Sequence, residues 1–136
     1  MPVEILLKGI KYTISAWVDD KGDCPVKDYI TQLLDSNNSD GQAILNLFDR
    51  TVTNGLIHNE QKFRFLKAAG QGLIEFKARG GTRILGFIID DDKLIVCTHG
   101  IPKLSDKRFQ REIKKLEEIK ELYEFENMKE GSDYLN

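Results

Sequence analysis

The most regular alternation of apolar and polar positions lies in residues 73–103. Three apolar runs sit close together there: Leu73 to Ala78, Thr82 to Asp90, and Lys93 to His99. Gly80-Gly81 separates the first pair and Asp90-Asp91-Asp92 the second. Short apolar runs punctuated in this way predict two consecutive hairpins, hence a three-stranded antiparallel meander. The first run alternates, with Ile74, Phe76 and Ala78 on one face and Glu75, Lys77 and Arg79 on the other. That second face reads as a charged one, with Arg83 just across the Gly-Gly turn. The middle run, Ile84 to Ile89, is apolar on both faces. It predicts a central strand covered on both sides, or covered on one and lining a cleft on the other.

Before the meander, Glu4 to Val18 is rich in β-branched and aromatic residues, with Gly9 as a possible bend. It predicts one strand or two short ones, joining the meander at an edge, with Trp17 as a packing anchor. Pro25 opens a helix, its preset φ suiting the first helical position, and Val26, Tyr29, Ile30 and Leu33 line one face. Ser39 is the expected cap of a second helix with Ile44, Leu47, Phe48 and Val52 inward, ending at Asn54-Gly55. The pair predicts an αα-hairpin laid on one sheet face. His58 to Gly72 is basic and partly irregular, with Phe63, Phe65 and Leu66 as packing residues. Ser105-Asp106 starts a long helix with Phe109, Ile113, Leu116, Ile119 and Leu122/Tyr123 as its apolar stripe. Residues 124–136 are acidic and lack an apolar period, which predicts a disordered tail after a single domain over 1–123. The fold class expected is α+β: a small antiparallel sheet, an N-terminal αα-hairpin packed on it, and a C-terminal helix.

A chain of 136 residues is one domain in size, and none of its apolar runs is long enough to span a bilayer. No N-terminal signal is visible, and Cys24 and Cys97 lack metal-ligand neighbours, so both read as reduced thiols of a cytoplasmic protein. The net charge of −2 argues mildly against a nucleic-acid partner, but its distribution argues the other way. Residues 62–115 carry thirteen Lys/Arg against six Asp/Glu, between acidic flanks. A basic middle suits a localised anion-binding face, and equally suits cations that only solvate a sheet edge and a helix.

Chemistry is narrowed mainly by exclusion. His58 and His99 are the only histidines, and no paired metal-ligand spacing, P-loop or nucleophile elbow occurs. No metal and no cofactor is expected. What remains is a cationic cluster of Lys77, Arg79, Arg83, Lys103 and Lys107, with His99 and Glu75 near in sequence. Lys62, Arg64 and Lys67 are candidates for phosphate contact, or are simply solvated. In the last helix cations lead and acids follow, opposite to what the helix dipole favours, which sets Lys107, Arg108 and Arg111 near the basic sheet face. Such a cluster can cleave RNA without metal. The substrate's 2′-OH is the nucleophile, and the protein orients it, takes its proton and stabilises charge on the phosphate. Arginine suits the last task because its planar fork grips phosphate oxygens bidentately.

The order of these elements resembles the RelE/HigB toxin superfamily, most closely its phage-derived HigB-type branch. Glu75-x-Lys77 matches that branch's Glu-x-Arg strand and Arg83 its "Arg then apolar" strand. His99-Gly100-Ile101-Pro102-Lys103 matches its His-Gly-Phe and lysine tail, and Lys107 its next lysine. The likeness covers about residues 56–125. It departs at Lys77, an arginine in the family, and at Leu104, the second of a lysine pair. Thr82 stands for an aromatic and Phe109 for a proline. The resemblance implies the toxin of a type II toxin–antitoxin system that cleaves mRNA at the ribosome and is silenced by a small helix-turn-helix antitoxin. It further implies Arg83, Lys77, Lys103 and His99 as catalytic residues. Arg79, Lys107, Arg108, Arg111, Lys62 and Arg64 follow as substrate-binding residues. Two rival functions share the fold: a ParE-like inhibitor of a protein such as gyrase, and an inactive phage-encoded binding protein. His99 follows Ile95 and Cys97 at strand spacing, so a packed structural histidine fits it as well as a catalytic one. Glu75 reads as an orienting group for Lys77 or Arg83.

Overall fold

The structure, a computed structural model, describes residues 2–135, and the side chains of these except at 69 and 128–135. Two N-terminal strands, β1 (Val3–Lys8) and β2 (Thr13–Trp17), precede the helices α1 (Pro25–Asp35) and α2 (Ser39–Asn54). Four strands follow: β3 (Phe63–Phe65), β4 (Leu73–Lys77), β5 (Arg83–Ile89) and β6 (Leu94–Ile101). The helix α3 (Asp106–Leu135) closes the chain. The strands form one six-stranded sheet in the order β1-β2-β6-β5-β4-β3.

The expected meander is β4-β5-β6, with both turns where the Gly-Gly and Asp-Asp-Asp runs put them. The sheet is mixed rather than antiparallel, because β2 lies parallel to β6. A parallel neighbour needs a long crossover, and the segment holding α1, α2 and β3–β5 supplies it. As expected from Glu4–Val18, two short strands precede the helices. The β1-β2 hairpin comes first. A short strand that the sequence pattern did not show, β3, pairs with β4 and forms the far edge. Its three residues are too few for alternation to register.

The helices cover opposite faces. Val26 and Ile30 of α1 and Ile44, Leu47, Phe48 and Val52 of α2 pack with Ile14, Ile74, Phe76, Ile84 and Ile95. Phe48, Phe63 and Phe76 meet edge-to-face in this layer, with centroids 5.0 and 5.1 Å apart. On the other face Phe109, Ile113, Leu116, Ile119 and Tyr123 of α3 pack with Leu73, Leu85, Phe87, Val96 and Ile101. The apolar middle run is thus covered on both sides. Phe65, expected to pack, is 38% exposed at the β3 edge. The α2 cap is Asn38, not Ser39: its side chain accepts from the Asp40 N–H at 2.9 Å. α3 also runs past Tyr123 to Leu135, where a disordered tail was expected, and Phe125 is exposed on it. Residue 136 of that expected tail lies outside the described residues. No helix among the described residues is long and apolar enough to cross a membrane.

Candidate functional site

The cross-strand register sorts the α3-side face of the sheet into rungs. Leu73, Phe87 and Val96 make an apolar rung, covered by the second half of α3. The next rung is Arg64, Glu75, Leu85 and His99, and the one beyond it Lys77, Arg83 and Ile101. The Lys77 N–H donates to the Lys62 carbonyl at 2.8 Å, so Lys62 extends this last rung onto the β3 side. Lys62, Arg64, Lys77 and Arg83 therefore share one face of three neighbouring strands.

Glu75 anchors them. Alternation made it a solvent-facing residue, yet it is fully buried. Its Oε1 accepts from Arg64 Nε at 2.5 Å, and its Oε2 lies 3.7 Å from Arg83 Nη1 with no hydrogen-bond donor. A carboxylate this deep costs several kcal/mol to desolvate unless cations compensate it. Here two guanidiniums do, and each keeps an exposed part, 39% of the Arg64 side chain and 21% of that of Arg83. The Arg83 guanidinium carbon also lies 4.6 Å from the Phe109 ring centroid, so α3 holds it from above. Of the two partners expected for Glu75, Lys77 or Arg83, only Arg83 lies within ion-pair distance, and the hydrogen bond comes from Arg64.

The β4–β5 turn that brings Lys77 opposite Arg83 is fixed from α2. The buried Asp40 accepts from the N–H of Gly80 at 2.9 Å and of Thr82 at 3.2 Å. Burial works to raise the Asp40 pKa, but bonds from the Thr82 hydroxyl and from these two N–H groups outweigh it and hold the carboxyl below its usual value. A Cβ on Gly80 would lie 2.6 Å from the Asp40 oxygens, and Gly81 has φ +105°. Both positions therefore need glycine. Lys103 sits against Gly81, placing it at the same end of the sheet, exposed.

His99 is buried, and both of its ring nitrogens are engaged. Nε2 is 2.9 Å from Glu112 Oε2 on α3, and Nδ1 is 2.8 Å from Thr98 Oγ1. Burial, and then the Lys115 charge, lower its pKa, with Glu112 opposing. The neutral ring donates from Nε2 to Glu112 and accepts at Nδ1 from the Thr98 hydroxyl. In this conformation His99 has no nitrogen facing solvent. Thr98, Thr-His-carboxylate arrangement notwithstanding, is wholly buried and cannot meet a substrate as a nucleophile.

The remaining candidates are spread around this face. Arg79 is exposed on the β4–β5 turn. On α3, Glu117 bonds Lys67 near β3 and Glu112 bonds His99 on β6, which fixes the two flanks of the helix. Helical spacing puts Arg108 on the Glu112 side, and Lys107 and Arg111, one turn apart, on the outer surface away from the buried stripe. The structure therefore brings Lys62, Arg64, Lys77 and Arg83 together, sets Lys103 and Arg79 at the rim, and does not join Lys107, Arg108 and Arg111 to them. Asp40 and Glu112 were missed by sequence reasoning, since neither stands at a spacing that signals its partner. Among the described residues no group of three His, Cys, Asp or Glu side chains is placed to hold a metal. No protein-family model, no curated protein and no solved structure matches this chain.

Proposed function

We propose that the cationic face binds RNA phosphates and that the chain is a RelE/HigB-type toxin, a metal-independent endoribonuclease acting on mRNA at the ribosome in the cytoplasm. The observation that carries the reading is the Lys62–Lys77–Arg83 rung beside Arg64, in which one buried glutamate holds the two arginines. Glu75 balances one of these four charges, and the excess on an exposed face suits a bound anion. In the reaction the ribose 2′-OH attacks the adjacent phosphorus, the bond to the 5′-oxygen breaks, and a 2′,3′-cyclic phosphate and a 5′-hydroxyl result. Arg83 grips the non-bridging oxygens as their charge rises. The 2′-OH proton passes to solvent water, and the Lys77 or Lys103 ammonium, both at the same end, supplies one proton to the leaving 5′-oxygen. His99 holds the Arg64–Glu75 rung to α3 through Glu112, and acts by positioning. A helix-turn-helix antitoxin silences the toxin by covering this face with an acidic or apolar segment.

One observation favours a non-enzymatic, ParE-like reading: His99 is buried and the half-exposed Glu112 already accepts from it, so neither stands free among the described residues to take the 2′-OH proton. Inducing the chain in cells while mapping mRNA 5′ ends and plasmid supercoiling separates the two. New mRNA ends with unchanged supercoiling support the ribonuclease. Intact mRNA with altered supercoiling replaces it with the gyrase-type inhibitor.

A further inference from the structure

Behind the cationic face, round the open edge of β3, lies a groove of about 610 Å³ lined by residues including Leu56, Ile57, His58, Phe63, Arg64 and Phe65. Its floor is aromatic: the Phe65 ring is 38% exposed and meets Phe63 edge-to-face at 5.9 Å. Phe63 is itself buried, so Phe65 is held from below and free above. Exposing such a ring on an edge strand carries a hydrophobic cost and invites pairing with another chain. The polar groups at the edge are ordered as well. The Lys77 N–H bonds the Lys62 carbonyl and the Leu66 N–H the Leu73 carbonyl. By antiparallel alternation the residues between, Phe63 and Phe65, then point their remaining peptide groups outward, away from β4. Phe65 thus offers an N–H and a C=O beside its own ring, and Glu60 and His58 stand at the rim. Arg64 belongs to both places: it lines the groove, and its Nε holds Glu75 on the cationic face.

We propose that this groove is a nucleobase subsite. One unpaired base of single-stranded RNA stacks on Phe65 and is read at its edge by the Phe65 peptide, while its phosphates pass over the β3 edge onto Arg64 and the cationic rung. The inference rests on the RNA reading of that face and adds what that reading lacks, a recognition element for bases. An aromatic platform beside a basic track is how single strands are held, with stacking tolerant of base identity. The outward N–H and C=O add a preference among bases. The groove is continuous with the cationic face through one residue, and that continuity selects RNA over a protein segment as its occupant.

The test is equilibrium binding of a labelled, uncleavable 2′-O-methyl oligoribonucleotide to the full chain, repeated with an abasic sugar walked through each position. Wild type is expected to lose about tenfold in affinity at one abasic position, the scale of one stacked base. Phe65→Leu keeps the apolar bulk and is expected to lose the same factor with the intact strand, with no further loss at that abasic position. Its salt dependence should match wild type, because no phosphate contact is touched. Arg64→Ala should instead lower the salt slope by about one. Abasic strands that all bind wild type equally, or a Phe65→Leu variant that binds the intact strand as wild type does, overturn the subsite and leave the phosphate face standing. If wild type binds no RNA at all, the face and the subsite fall together.

Discussion

Replacing Asp40 tests whether α2 holds the turn that sets Lys77 across from Arg83. The carboxylate is 4% exposed and accepts from two backbone N–H groups, those of Gly80 and Thr82. A hydrogen bond to a charged group contributes about 1.5–3 kcal/mol net. In Asp40→Asn one oxygen becomes an NH₂ that cannot accept, so one such bond is lost and one N–H is left facing a donor. The expected cost is about 2–3 kcal/mol, or roughly 6–10 °C in melting temperature for a chain of this size. Asp40→Ala leaves both N–H groups unpaired and should cost about 3–5 kcal/mol. The pH dependence has a definite sign. The carboxyl is held below its usual value of 3.8 in the folded state, so its contribution is fully present above that value. It is lost as pH falls through the folded pKa. Thermal melts followed by circular dichroism should therefore show the gap between wild type and Asp40→Asn constant from about pH 7 to 5 and closing below about pH 3.8. An Asp40→Asn variant that melts with wild type near neutral pH, or a gap that does not close in acid, refutes the reasoning.

Two further outcomes follow from the same face. Glu75→Gln keeps shape and an acceptor for Arg64 but removes the charge between two arginines; it should cost about 1–3 kcal/mol and weaken RNA binding, as read by melts and by anisotropy. Retention of wild-type stability and affinity would show that the arginines orient without it. His99 is held neutral, its pKa lowered first by burial and then by Lys115, so stability present above about pH 6.5 should fall as pH drops through the folded value. His99→Gln, which can still donate to Glu112 and accept from Thr98, should flatten that slope in urea titrations at several pH values. An unchanged slope would place the acid sensitivity elsewhere.

The meander was legible because its signals are local: Gly80-Gly81 and Asp90-Asp91-Asp92 mark turns, and Pro25 marks a helix start. What stayed hidden depends on contacts far apart in the chain. The parallel pairing of β2 with β6 joins Ile14 to Ile95, and nothing near either residue announces it. Phe63–Phe65 is a strand only because Phe76, Glu75 and Ile74 lie opposite. Of the site, the cations Lys77 and Arg83 were visible as a row. Alternation places Glu75 in that row because it reports which face a residue is on. It does not report whether two arginines and a helix close over that face. The same limit hid the bond from Glu112 to His99, thirteen residues apart on different elements.

The most direct measurement is single-turnover cleavage of one RNA, with EDTA present and with and without ribosomes. The RNA is prepared with ribose or with 2′-deoxyribose at the scissile position. Wild type should cut the ribose strand to a cyclic phosphate end and leave the deoxy strand intact, because the nucleophile is gone. Arg83→Ala should slow the chemical step by about 10²–10³-fold, the scale of one preorganised transition-state donor, at saturating protein and with its fold verified by circular dichroism. Cleavage of the deoxy strand at the wild-type rate, or an Arg83→Ala variant as fast as wild type, would contradict 2′-OH attack on this face.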